Sequence, residues 1–311
     1  MKRTTKDYIV ISLKGMAMGA ADVVPGVSGG TIAFISGIYE ELLGSISNIN
    51  ISLFKTLKNK GLAKAWEQLN GNFLASLFIG MIVSLISLAK GISWLLENQP
   101  VLLWAFFFGL VLASIIYIGK QVTKWNVVAF LLLFGTAFLA YFITTLNPLI
   151  SENPSSFFIF LAGAIAICAM ILPGISGSFI LVLLGAYKTV LAAVNNKNIV
   201  TIVVFMLGCF TGLLTFSKVL KWLFANYKNY TLIALTGFIL GSLNKIWPWK
   251  EVLTYRVNSH GEQVPFKEAS ISPFSFNGDS QIAYAIILAI LGFSLILLLE
   301  KLAIKNDKKK A

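Results

Sequence analysis

The sequence predicts an all-α polytopic membrane protein made of two inverted repeats, each a re-entrant interrupted helical hairpin followed by three transmembrane helices. Composition, run length and an internal duplication carry this reading. Apolar residues fill 57% of the 311 positions and charged residues 12%, which excludes a soluble domain of ordinary make-up. A crossing needs roughly 20 mostly apolar residues, and six runs qualify: 72–97, 100–119, 125–146, 199–225, 230–247 and 282–304. The segment DVVPGVSGGTIAFISGIYEELL, Asp22 to Leu43, returns as MILPGISGSFILVLLGAYKTVL from Met170.

In chain order, the N-terminal stretch MKRTTKDYIVISLKGMAMGAADVVPG is apolar enough for a signal peptide. Pro and Gly interrupt it and more apolar sequence follows, so it is expected to be retained. Residues 9–47 are too long for one helical crossing at about 1.5 Å per residue, so they are expected to enter the membrane, break and return. Segment 48–70 sets Leu53, Phe54, Leu57, Leu62, Trp66 and Leu69 among four lysines, the pattern of an amphipathic helix on the membrane surface. Three spans complete repeat one, 9–147. Repeat two, 157–304, has the second interrupted segment and three more spans. An external polar loop, 248–281, separates the last two and follows the interfacial tryptophans of IWPWK. The whole chain, 1–311, forms one transporter domain.

Sliding the chain by 148 residues pairs Gly15 with Gly163, Pro25 and Gly26 with Pro173 and Gly174, Ser28 and Gly29 with Ser176 and Gly177, Gly37 with Gly185, and Tyr39 with Tyr187. The first half has a longer loop, after which an offset of 128 pairs Gly80 with Gly208, Lys90 with Lys218 and Gly109 with Gly237. Three spans is an odd number, so a re-entrant hairpin leaves the second repeat upside down. Inverted repeats with interrupted helices near the midplane mark secondary transporters.

The net charge of +12 comes from basic residues spread over short loops, with no aromatic-interleaved patch that would suit nucleic acid. With re-entrant hairpins, sixteen Lys and Arg fall on the side of the N-terminus and six on the other, which predicts that both termini are cytoplasmic. Cys168 and Cys209 lie in apolar segments as small core residues. The single histidine, His260, sits in the external loop, so no metal site, cofactor or catalytic triad is expected in the membrane region and the chain is not expected to be an enzyme.

The punctuation predicts a site. Pro25 lacks an N–H and Gly26 permits a turn, which makes Ser28 the N-cap of a helix from Gly29 to about Leu43. Pro173, Gly174, Ser176 and Gly177 repeat the device. The freed N–H groups of Gly29, Gly30 and Thr31, and of Gly177, Ser178 and Phe179, would favour an anion such as phosphate. Asp22, matched by Met170 in the other half, is either a proton carrier or a cap or partner of Lys14. Lys90 and Lys218 either snorkel to the interfaces or draw an anion to each leaflet.

GMAMGAADVVPGVSGGTIAFISGIYEELL, LPGISGSFILVLLGAYKTVL and GSLNKIWPWK together resemble the bacterial polyprenyl-phosphate (undecaprenyl-phosphate) translocase family, over nearly the whole chain. The resemblance implies a multi-pass protein of the bacterial plasma membrane that returns undecaprenyl phosphate to the cytoplasmic leaflet for cell-envelope synthesis. It also places the head-group contacts on Ser28, Gly29, Gly30 and Thr31 and on Ser176, Gly177 and Ser178. The second motif has Ser178 and Phe179 where the first has Gly30 and Thr31. The residues alone suit a small-anion channel or exchanger as well, and they leave self-association into a homo-oligomer open.

Overall fold

The computed structural model describes residues 3–24, 28–146, 154–257 and 263–308; Pro25, Gly26 and His260 lie outside them. Helix α1 (Thr5–Val23) opens with a capping box between Thr4 and Asp7. The next helix was expected to run on to about Leu43, but it is divided into α2 (Gly29–Ile35) and α3 (Tyr39–Ser47). Gly37 makes the division, with φ +74° that other residues rarely adopt, and Gly185 repeats it at φ +71°.

The amphipathic segment forms α4 (Ile51–Leu69), bent at Gly61. Phe54, Leu62 and Trp66 are exposed along it, as a helix resting on lipid requires. The run 72–97, expected to be one span, is two helices, α5 (Gly71–Ser87) and α6 (Ala89–Asn98), parted at Leu88. Helices α7 (Pro100–Gly119) and α8 (Val127–Thr145) follow.

The second half has α9 (Ser156–Ile171), α10 (Gly177–Leu183), α11 (Tyr187–Asn195) and α12 (Ile199–Ser242). The runs 199–225 and 230–247 join in α12, which leaves helical geometry at Tyr227 (φ −135°, ψ 40°). Straight, it would measure about 66 Å against a hydrocarbon core of about 30 Å, so the break at Tyr227 separates two spans' worth of helix. The loop 248–281 holds the one departure from all-α among the described residues, an antiparallel hairpin of β1 (Lys250–Val257) and β2 (Gln263–Ser270). Trp247 and Trp249 anchor the loop by donating to Ile271 O and Ser280 O, and α13 (Ile282–Lys308) ends the chain.

The duplication seen in the sequence recurs in the packing. Helices α10 and α11 begin and end 148 residues after α2 and α3. Gly15 lies against Leu77 O and Gly80 against Ser12 O; Gly163 lies against Phe205 O and Gly208 against Phe160 O, at the same offsets of 148 and 128. The α1/α5 interface is thus repeated by α9 and the first part of α12. Helix α7 meets α13 where Gly109 faces Ala289 O, and the second part of α12 meets α8 where Gly241 faces Ala137 O, so the last spans pack across the halves. Small residues that let backbones approach are how helices associate in lipid. Outside these contacts, Leu131, Phe134 and Phe138 of α8 and Ile286, Ile290 and Leu291 of α13 are exposed, an apolar belt that hydrocarbon covers. Pro100–Gly119, Val127–Thr145 and Ile199–Ile246 are each long and apolar enough to cross a membrane. All seven residues of α2 are buried inside the bundle.

Candidate functional site

Each interrupted segment leaves its first helix in extended backbone, at Val24 (φ −85°, ψ 117°) and at Leu172 (φ −65°, ψ 129°). Gly174 then turns with φ +89°, and a side chain there would also strike Ser242 Oγ at 2.6 Å. Ser28 is the N-cap that the sequence predicts, its Oγ accepting from Gly30 N at 3.1 Å.

The two breaks lie directly against each other. Pro173 cannot donate and α9 ends, so carbonyls of its last turn need partners from elsewhere. Ser28 Oγ donates to Met170 O at 3.1 Å and the Tyr39 hydroxyl to Ile171 O at 3.0 Å. In return Gly174 N donates to Thr31 Oγ1 at 2.9 Å. Gly30 is required at the crossing, because a Cβ there would meet Ile171 O at 2.7 Å and Met170 O at 2.9 Å. Ser28, Gly29, Gly30 and Thr31 are all buried.

One expectation is corrected here. The N–H groups at the start of α2 are not free: Gly29 N donates to Asp22 Oδ1 at 2.7 Å, Gly30 N to Ser28 Oγ, and Thr31 N to Ser28 O at 2.9 Å. A carboxylate at a helix start satisfies both the donors and the dipole, so Asp22 occupies the place an external anion would take. Asp22 therefore caps, while Lys14 donates to Ser36 O at 2.6 Å. The second break differs. Ser176 holds the N-cap position, but its Oγ bonds Ser178 Oγ at 2.8 Å and makes no cap. Among the described residues, the N–H groups of Gly177, Ser178 and Phe179 have no hydrogen-bond partner, and Ser178 is exposed. Lys90 and Lys218 are exposed on α6 and α12 and bond neither break.

Two participants carried no role in the sequence reading. Tyr39 was paired with Tyr187 by the repeat, a signal that the position is shared but not that its hydroxyl spans the breaks. Lys245 lies with its Nζ 5.3 Å from the ring centre of Phe179, next to Ser178, although the sequence shows only a loop-flanking lysine. Among the described residues no three His, Cys, Asp or Glu gather as metal ligands.

Similarity to known proteins spans both breaks. A family model described as VCA0040-like, undecaprenyl phosphate translocase-like, matches residues 18–264. A polyprenyl-phosphate transporter of Vibrio cholerae serotype O1 is 51% identical over 309 residues, 98% of this chain and 100% of its own. A polyprenyl-phosphate transporter of Staphylococcus aureus is 31% identical over 253 residues, 76% of this chain and 85% of its own. No solved structure matches the chain. Both interlocked breaks fall within the matched span, and the chain belongs to the undecaprenyl phosphate translocase-like family.

Proposed function

We propose that the chain carries undecaprenyl phosphate from the outer to the cytoplasmic leaflet of the bacterial plasma membrane, returning the carrier lipid for cell-envelope synthesis. The observation that carries this reading is the contact between the two helix breaks, one from each repeat, which holds polar backbone inside protein, as breaks within a membrane would require. The names of the relatives support a polyprenyl phosphate as cargo. In this reading the repeats are inverted, the hairpins re-enter and both termini are cytoplasmic. The ion pairs Arg3–Glu41 at 2.6 Å and Lys228–Glu40 at 2.7 Å support it, since they gather residues that the charge count assigns to one face.

The head-group is received by Ser176, Gly177 and Ser178, where the N–H groups of Gly177 and Ser178 are unpartnered among the described residues and the two serine hydroxyls bond each other, and passes to Ser28, Gly29, Gly30 and Thr31 as Asp22 gives up Gly29. Asp22 is then a resident anion that neutralises the first break while no lipid is bound, and its protonation would free Gly29. Lys90 and Lys218, one near each leaflet, attract the phosphate toward the bundle. The polyprenyl tail stays in lipid while the halves rock.

The test is head-group crossing of undecaprenyl phosphate in vesicles holding the purified protein, with Ser28→Ala, Asp22→Asn and Gly29→Leu as variants. A side chain at 29 meets Asp22 Oδ2 at 2.6 Å, so Gly29→Leu is expected to abolish crossing. Crossing no faster than in empty vesicles, together with flux of chloride or inorganic phosphate, would replace the lipid reading with a small-anion pathway.

A further inference from the structure

A charged cluster sits where the hairpin meets the helices, with Lys245 and Glu268 24% and 25% exposed. Lys250, at the start of β1, is only 9% exposed; its Nζ stands 3.9 Å from the ring centre of Trp104 on α7 and 3.7 Å from the Glu268 carboxylate of β2. Lys245 is also 3.7 Å from that carboxylate, and its other neighbour is the Phe179 ring. One carboxylate thus serves two ammonium groups, and the cluster keeps a net positive charge. Close charge-assisted N–O contacts are about 2.7–2.9 Å, so Glu268 reaches between the lysines without seating closely on either. Burial, with Lys245 beside it, outweighs the Glu268 charge and pushes the Lys250 ammonium down to about 8. A group with a charge of about −1.5 to −2 and three acceptor oxygens answers both lysines at once, and that is the chemistry of a phosphomonoester.

We propose that Lys245 and Lys250 form a receiving site for a phosphomonoester head-group, that Glu268 fills it as a tethered competitor, and that head-group binding releases β2 from both lysines. Trp104 and Phe179 wall the site and hold the ammonium groups by their ring faces. Phe179 adjoins Ser178, so the site leads to the second break. The inference rests on the reading that the cargo bears a phosphate.

Full-length protein in nanodiscs is titrated by calorimetry with a short prenyl phosphate, inorganic phosphate and the matching prenyl alcohol, and the same variants are assayed for crossing in vesicles. Lys245→Gln and Lys250→Met are expected to weaken prenyl phosphate binding about tenfold each, and Glu268→Gln to strengthen it about threefold. A purely structural cluster would loosen the hairpin in all three variants, so shifts of one sign, or none, overturn the site. The opposite-sign pattern cannot arise from misfolding and supports it. The pattern with inorganic phosphate alone keeps the anion site and overturns its lipid source. A wild type that moves lipid while all variants match it defeats this inference only; a wild type that neither binds nor moves phosphate lipid defeats the transport reading and the inference together.

Discussion

Gly29 and Gly177 each open a seven-residue helix at equivalent places in the two halves, yet their N–H groups meet different fates. Gly29 donates to Asp22, while the residue in Asp22's place in the second half is Met170, whose side chain cannot accept in the same way. The first break is therefore closed by its own carboxylate and sunk in the bundle, and the second has unmatched donors beside an exposed Ser178. Two copies of one backbone device thus carry different charge. An unmatched N–H in hydrocarbon costs several kcal/mol, so the second break is stable where water or a polar ligand reaches it.

The largest effect that can break this comparison comes from residue 30 and its counterpart, 178. Gly30→Val forces a side chain into the carbonyls of Met170 and Ile171, and overpacking of this kind costs about 1–3 kcal/mol. Ser178→Val adds its methyls at an exposed position and is expected to leave the unfolding temperature nearly unchanged while slowing head-group crossing. Thermal unfolding of both variants in one detergent checks the contrast. Equal losses would mean that the second break is as tightly enclosed as the first.

An effect of comparable size sharpens the role of charge. Asp22→Ala leaves the Gly29 N–H unpartnered inside the bundle, at about 1–3 kcal/mol. Asp22→Asn keeps an acceptor and is expected to recover most of that stability while still altering transport. The converse, Met170→Asp, offers the second break a carboxylate of its own and is expected to slow crossing with little change in stability. Wild-type crossing by Met170→Asp would show that the missing carboxylate is not what opens the second break.

Much of this was legible in the sequence, for identifiable reasons. Proline, glycine and serine at 25–29 and 173–177 restrict backbone locally, so the cap at Ser28 and the turn at Gly174 could be read without neighbours. The paired glycines 80 and 208 were visible as a repeat, and their packing against Ser12 and Phe160 gives the reason for them. Long-range choices were hidden. Nothing local says that Asp22 turns to Gly29 and not to Lys14, or that a tyrosine at 39 reaches a carbonyl 132 residues away. The hairpin was missed because polar, loop-like composition masked the strand alternation of TYRV. The Lys245–Glu268–Lys250 cluster was missed with it, since the strand pairing brings Glu268 to the lysines.

The smallest effect concerns whether the two breaks part during the cycle. Tyr39 is buried between the rings of Phe34 and Phe224, at 5.1 and 5.9 Å, and its hydroxyl closes the crossing on Ile171 O. Tyr39→Phe keeps the ring contacts and removes one hydrogen bond, at about 0.5–1.5 kcal/mol. If the breaks separate to let the head-group between them, that bond exists only in the closed form. Its loss then raises the open population by about fivefold at 1 kcal/mol, and crossing quickens although the protein unfolds at a lower temperature. If the contact persists throughout, the bond stabilises every state alike: the unfolding temperature falls and the crossing rate does not rise. Measuring both quantities on this one variant separates a hinge that opens from a joint that stays fixed, because the two predict rates on opposite sides of a common loss in stability.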